Sequence, residues 1–154
     1  SAMLKGMDYM NENVVMVATT NLYQHFDKAM IRRYDSVIDF NRYTREDLQQ
    51  IAEEFLDQFL TKFKLAGKDI RMFRKIMALL DPIPYPGELK NLIRTAVAFS
   101  DPEDGTDYLR RMYYMVTNKN PENLRELQSQ KFTLREMEIL TKKAKSTIAR
   151  ELKE

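Results

Sequence analysis

The sequence predicts a mainly α-helical protein with a small α/β portion near its start. Two short, mainly apolar runs flank a short helical stretch within residues 1–43. From residue 44 onward apolar residues recur at helical spacing, and only 4 glycines and 5 prolines interrupt 154 residues. Hydrophobic residues make up 44% and charged residues 31%, as in ordinary globular proteins. No apolar run approaches the roughly 18 residues needed to cross a bilayer. We therefore expect a cytoplasmic protein with no membrane partner.

The numbers of cysteine and histidine residues limit the kinds of site that the chain can contain. The chain has no cysteine, which excludes disulfides and thiolate catalysis, and its 1 histidine disfavours a protein-only zinc site.

The first predicted domain, residues 1–43, has the pattern strand, helix, strand. "VVMVA" (14–18) is a wholly apolar run, as in a strand buried on both faces of a parallel sheet, and "SVIDF" (36–40) is a weaker but similar run. Between them, residues 26–33 indicate a short helix that Asp27 caps. Two strands do not make a stable parallel sheet. We therefore expect another chain, or more of a larger parent protein, to complete the sheet.

The second predicted domain, residues 44–118, is a bundle of about four helices. Thr44 and Asp47 have the spacing of a capping box, and apolar residues follow at helical intervals to Phe63. Asp69 caps a second helix, "DPIPYPGE" is a rigid loop, and two more helices follow it. The third predicted domain, residues 119–154, is an extension of about three short helices, in 121–130, 133–142 and 146–153.

Two stretches resemble the family of AAA+ ATPases. "NVVMVATTN…FDKAMIRRYDSVIDF" is similar to the second half of the ATPase core, in which a strand ends in Thr-Asn (sensor 1) and the next helix ends in an arginine pair. "YPGELKNLIRTAVAFS" is similar to the sensor 2 helix of the lid. The resemblance covers roughly residues 5–117, and it implies a partial P-loop AAA+ core followed by a helical lid.

The resemblance assigns catalytic roles near the start of the chain. It implies that Asn21, with Thr20 beside it, holds the attacking water or a γ-phosphate oxygen at a strand tip. The alternative for Asn21 is a residue that turns the chain after a strand. Arg32 and Arg33 are then arginine fingers that reach the nucleotide of a neighbouring subunit. Their alternative is an ion pair with a nearby aspartate, Asp35 or Asp39.

The lid contributes Gly87 and Lys90. By resemblance, Pro-Gly opens the sensor 2 helix, and Lys90 stands at the position of its basic residue, where many relatives have arginine. Lysine keeps the charge but loses bidentate geometry. The alternatives are a solvated lysine, or Arg94 as the basic residue of that helix.

The phosphate-binding loop and the acidic strand that activates Mg²⁺ and water are not found in this sequence. We therefore expect the chain to begin after that strand in a longer parent, and not to bind ATP tightly or hydrolyse it alone. The intact parent would use ATP and Mg²⁺. The resemblance implies that it forms a ring, expected to be a hexamer, and remodels a protein or nucleoprotein substrate.

The basic end of the chain allows a different function. "FTLREMEILTKKAKSTIARELKE" has some likeness to a helix-turn-helix, in which Lys143, Lys145, Thr147 and Arg150 would meet DNA phosphates and base edges. The whole protein would then be a non-enzymatic DNA-binding module. The alternative for this segment is a charged helical hairpin that packs on the lid or on a neighbouring subunit.

Overall fold

The computed structural model describes residues 2–9, 11 and 13–153. These residues form nine α-helices and one short 3₁₀ helix, and no strand is found among them. The chain divides into two compact units, residues 1–42 and residues 43–154.

The first unit, residues 1–42, is short helices joined by irregular chain. α1 is Ala2–Asp8, a 3₁₀ helix covers Tyr23–His25, and α2 is Lys28–Ile31. Asp27 caps α2 as predicted, because its side chain accepts a hydrogen bond from the Ala29 N–H at 2.9 Å.

The predicted α/β portion is wrong. Residues 14–18 and 36–40 form no strand in the structure, and most of their side chains are exposed: Val15 is 88% and Ile38 74% exposed. A strand needs a neighbouring backbone to take its N–H and C=O groups, and an isolated pair is at best marginally stable. The described part of the unit supplies no such neighbour, so strand propensity alone does not produce a sheet.

The second unit contains seven helices: α3 (Arg45–Phe63), α4 (Ile70–Met77), α5 (Pro86–Ala98), α6 (Asp107–Thr117), α7 (Leu124–Ser129), α8 (Leu134–Thr141) and α9 (Lys145–Glu151). α3 packs against α5, α5 against α6, and α4 against both α3 and α6. α8 packs on α6, and α9 packs on α8. The three helices after residue 118 therefore continue the same packed unit.

Local signals explain where these helices begin. The Thr44 and Asp47 capping box is confirmed, since Thr44 Oγ1 accepts from the Asp47 N–H and Asp47 Oδ2 accepts from the Thr44 N–H at 2.8 Å. Asp69 caps α4 as predicted, and Pro86 starts α5. α3 ends at Phe63, because Lys64 takes the left-handed conformation (φ 56°).

The core of the second unit is made of apolar side chains from every helix. The largest fully buried ones are Tyr108, Tyr113, Phe73, Leu56, Met72, Ile76, Met77, Leu89, Ile93, Leu109, Met112 and Leu127. Burial of one such side chain contributes roughly 1.5–3 kcal/mol to folding.

Polar contacts fix how the last helices dock. Lys75 of α4 bonds the Glu136 carboxylate of α8 at 2.7 Å and the Lys131 carbonyl at 2.9 Å. The Tyr113 hydroxyl of α6 bonds Gln130 at 2.9 Å. These contacts hold α7 and α8 in place against α4 and α6.

The loop before α4 and the loop before α6 are in close contact at two glycines, Gly67 and Gly105. A Cβ built on Gly67 would overlap the backbone carbonyl of Gly105. The loop before α4 and the loop before α6 thus approach closely enough to exclude any side chain at residue 67.

Candidate functional site

Thr20 and Asn21 lie in exposed irregular chain rather than at the end of a strand. Thr20 Oγ1 accepts a hydrogen bond from the Leu22 N–H at 2.9 Å, which turns the chain into the 3₁₀ helix. The Asn21 side chain makes no hydrogen bond within the described residues. The strand-tip geometry assumed for Asn21 is therefore wrong in this chain.

The two predicted arginine fingers have different surroundings. Arg33 forms a bidentate ion pair with Asp8, from Nε at 2.6 Å and Nη2 at 2.9 Å, and its Nη1 donates to the Ala29 carbonyl at 2.7 Å. The hydrogen bond from Arg33 lowers the pKa of Asp8 below its usual value. Arg32, one residue earlier, is exposed and has no ion pair or hydrogen bond among the described side chains. An intramolecular ion pair is thus present for Arg33, although its partner is Asp8.

Gly87 and Lys90 lie together in the first turns of α5. Gly87 is exposed, and a Cβ added to it would meet nothing within 4 Å. The Lys90 ammonium lies 5.8 Å from the centre of the Phe55 ring and has no ion pair in the described part of the chain. Arg94, the competing basic residue, bonds its own neighbour Asn91 at 3.2 Å. Of these two cations, only Arg94 therefore has a side-chain hydrogen bond among the described residues.

Two of the predicted DNA-contacting residues are paired within the last helical hairpin. Lys143 binds Glu151 at 2.8 Å, and Lys145 approaches the Glu138 carboxylate at 3.5 Å. The remaining two differ in exposure, since Thr147 is half-buried and Arg150 is exposed. Both lysines therefore have a counter-charge within the hairpin itself.

A cluster on α6 was not identified from the sequence. Asp107, whose side chain is fully buried, accepts from Arg110 Nη2 at 2.6 Å and from Arg111 Nε at 2.7 Å. It also accepts from the Asp101 N–H at 3.0 Å. The signal was present in "DYLRR", because residues three and four positions apart share one face of a helix.

Burial and hydrogen bonding act in opposite directions on the pKa of Asp107. Burial by itself would raise the pKa of Asp107, but the hydrogen bonds from Asp101, Arg110 and Arg111 outweigh it and lower the pKa to about 2. Asp107 is therefore ionised at neutral pH and holds both guanidinium groups in fixed positions.

Within residues 2–9, 11 and 13–153 no group of three or more carboxylate or imidazole side chains is arranged to hold a metal ion. None of the described helices has the length and apolar character that spanning a membrane requires.

Comparison with protein-family models, with curated proteins and with solved structures found no match to the chain. The likeness to AAA+ ATPases therefore depends on the sequence motifs alone.

Proposed function

We propose that this chain belongs to a cytoplasmic AAA+ ATPase whose intact form couples ATP binding and hydrolysis, in a ring, to the remodelling of a protein or nucleoprotein. The order and spacing of the sensor 1, arginine-pair and sensor 2 motifs in the sequence support this proposal. The observation that carries it is the difference between Arg32 and Arg33: one guanidinium is exposed and uncommitted, and its neighbour is held by a carboxylate.

Arg32 has the chemistry that a finger residue needs. A guanidinium is always charged and binds phosphate oxygens through two parallel hydrogen bonds. To reach an external phosphate, Arg33 would first have to break its bidentate pair with Asp8, whereas Arg32 breaks no such contact. We therefore assign Arg32 as the finger that reaches the neighbouring subunit's nucleotide, and Arg33 as a positioning residue that fixes the turn after α2.

The start of α5 supports a nucleotide-facing role for the helical unit. Gly87 leaves the backbone of the first helical turn open to a close approach, and the helix dipole there favours an anion. Lys90, one turn along, supplies an exposed positive charge. These features fit a contact with ATP phosphates, and Mg²⁺ in the intact parent would neutralise part of the remaining phosphate charge.

Steady-state ATP hydrolysis by the intact parent tests the assignment. Arg32→Ala should lower turnover on the order of a thousandfold and leave nucleotide binding unchanged, because a finger acts on the transition state of a neighbour. Arg33→Ala should lower turnover less, since the turn loses its anchor but the finger remains. Arg42→Ala is the matched control: it is another exposed arginine of the same unit, with one long ion pair to Asp39 at 3.5 Å. Wild-type turnover in the Arg32→Ala protein would reject the assignment.

A mixing experiment asks whether Arg32 acts in trans. Subunits that carry Arg32→Ala keep their own nucleotide site, and subunits with an inactivated nucleotide site keep Arg32. Mixed rings should therefore regain turnover that neither variant shows alone. Failure to regain it, with ring assembly verified by sedimentation, would contradict a finger that acts across the interface.

A further inference from the structure

A groove opens on the second unit, and neither Gly87 nor Lys90 of that unit lines it. It lies between the C-terminal half of α5, α6, the loop after α6 and the end of α8, and it encloses about 620 Å³. Three of its lining residues are large apolar side chains with much of their surface exposed: Phe99 at 70%, Tyr114 at 48% and Met115 at 38%. Ala96 and Leu140, which are buried, also line it. An exposed apolar concavity of this kind is typical of a binding surface.

One wall of the groove carries two guanidinium groups, Arg110 and Arg111, whose side chains are 38% and 41% exposed. Asp107 engages Arg111 only through Nε, so both terminal nitrogens of Arg111 have no partner among the described residues. A single carboxylate serves both arginines, which leaves one positive charge of this cluster without a counter-charge. Because Asp107 is buried and ionised, the two guanidinium groups are already oriented before any partner arrives.

The charge on the groove limits what it can bind. Glu122, which is exposed, also lines it and would repel a polyanion such as a nucleic acid. A partner with one carboxylate and free N–H donors satisfies both the arginines and Glu122. The apolar residues require a large apolar side chain close to that carboxylate.

We propose that the groove binds a peptide segment of another protein, in which a large apolar residue lies next to an acidic one. The acidic side chain pairs with Arg110 and Arg111 through charge-assisted hydrogen bonds. The apolar side chain packs between Phe99 and Tyr114, and aromatic and arginine side chains are the ones that dominate peptide and protein interfaces. None of these residues belongs to the proposed nucleotide site, so the groove is independent of the ATPase proposal.

Selection from a random-peptide library displayed on phage, with the full chain as bait, tests the proposal. Enriched peptides should combine an acidic and a large apolar residue within one or two positions. A synthetic copy of an enriched peptide, labelled with fluorescein, should bind at least tenfold more tightly than the same peptide with its acidic residue replaced by the corresponding amide. Fluorescence anisotropy measures both affinities.

Variants locate the binding site. Phe99→Ser and Arg111→Gln should each weaken peptide binding at least tenfold, and Arg125→Gln, an exposed arginine of α7 outside the groove, should leave it unchanged. Phe99 is largely exposed, so its variant should remain folded even where the loss of an Asp107 contact unfolds the Arg111 variant; circular dichroism verifies this.

Four results would overturn the proposal: no enrichment of peptides, equal binding of the acidic and amide peptides, binding unaffected by Phe99→Ser, or displacement of the peptide by a single-stranded oligonucleotide. A fifth is self-association of the chain that Phe99→Ser abolishes, seen by sedimentation, because it would make the groove a contact between copies.

Discussion

Replacement of Asp107 by asparagine tests the free energy that one buried carboxylate contributes to the second unit. The substitution keeps the shape of the side chain and removes its charge. The side chain at residue 107 then no longer attracts Arg110 and Arg111 by charge. The Asp101 N–H keeps only a neutral acceptor. We expect the free energy of unfolding to fall at neutral pH.

The magnitude follows from the pKa of Asp107. Its value in the folded protein is about 2, below the ordinary 3.8. Each pKa unit corresponds to about 1.4 kcal/mol, so the ionised group stabilises the fold by about 2 kcal/mol once water screening of the half-exposed arginines is allowed for.

The sign of the pH dependence follows from the same values. Since the folded pKa is the lower one, the unfolded chain binds the proton first as the pH falls. The contribution is complete above pH 3.8 and disappears as the pH approaches 2. The difference between wild type and Asp107→Asn should therefore be about 2 kcal/mol at pH 7 and about half of that at pH 3.

Urea unfolding followed by far-ultraviolet circular dichroism at pH 7, 4 and 3 measures this difference. Glu103→Gln is the matched control, an exposed carboxylate in the same loop, and should change stability by less than about 0.5 kcal/mol. A difference that stays constant from pH 7 to pH 3, or a variant as stable as wild type at pH 7, would refute the assigned role of Asp107.

Two further substitutions test the packing of the second unit by thermal unfolding. Gly67→Ala should cost about 1–3 kcal/mol, because its Cβ collides with the backbone of Gly105. The matched control Gly87→Ala meets open space in a helix and should gain roughly 0.5 kcal/mol; equal effects of the two changes would contradict the loop contact. Lys75→Met should cost about 2 kcal/mol, since it leaves the buried Glu136 carboxylate without its cation. Adding Glu136→Gln should recover part of that loss, and no recovery would show that the ion pair is not the cause.

Local signals were sufficient to predict the helices after residue 43. The reciprocal bonds of Thr44 and Asp47, and the cap at Asp69, depend on residues three positions apart, so the sequence shows them directly. Three short helices near the end were also predicted, in 121–130, 133–142 and 146–153, and the structure has them at Leu124–Ser129, Leu134–Thr141 and Lys145–Glu151.

Features that depend on distant residues were not predictable in this way. The run at 14–18 has strand propensity, but a strand also needs a partner backbone, which no local pattern supplies. Arg32 and Arg33 look equivalent in sequence, and only the approach of Asp8, 25 residues before Arg33, distinguishes them. The pairing of Lys143 with Glu151 depends in the same way on how α9 folds back on α8.

The exposed valines of the first unit have a consequence for the handling of this protein in solution. "VVMVATT" (14–20) contains no charge, proline or glycine, and Val14, Val15 and Val17 are all more than half exposed. Such a segment can stack with its copies in other molecules as cross-β structure without any prior unfolding. We therefore expect this short run to cause the loss of soluble protein on concentration. Val15→Lys should improve solubility, while the melting temperature of the helical unit stays the same.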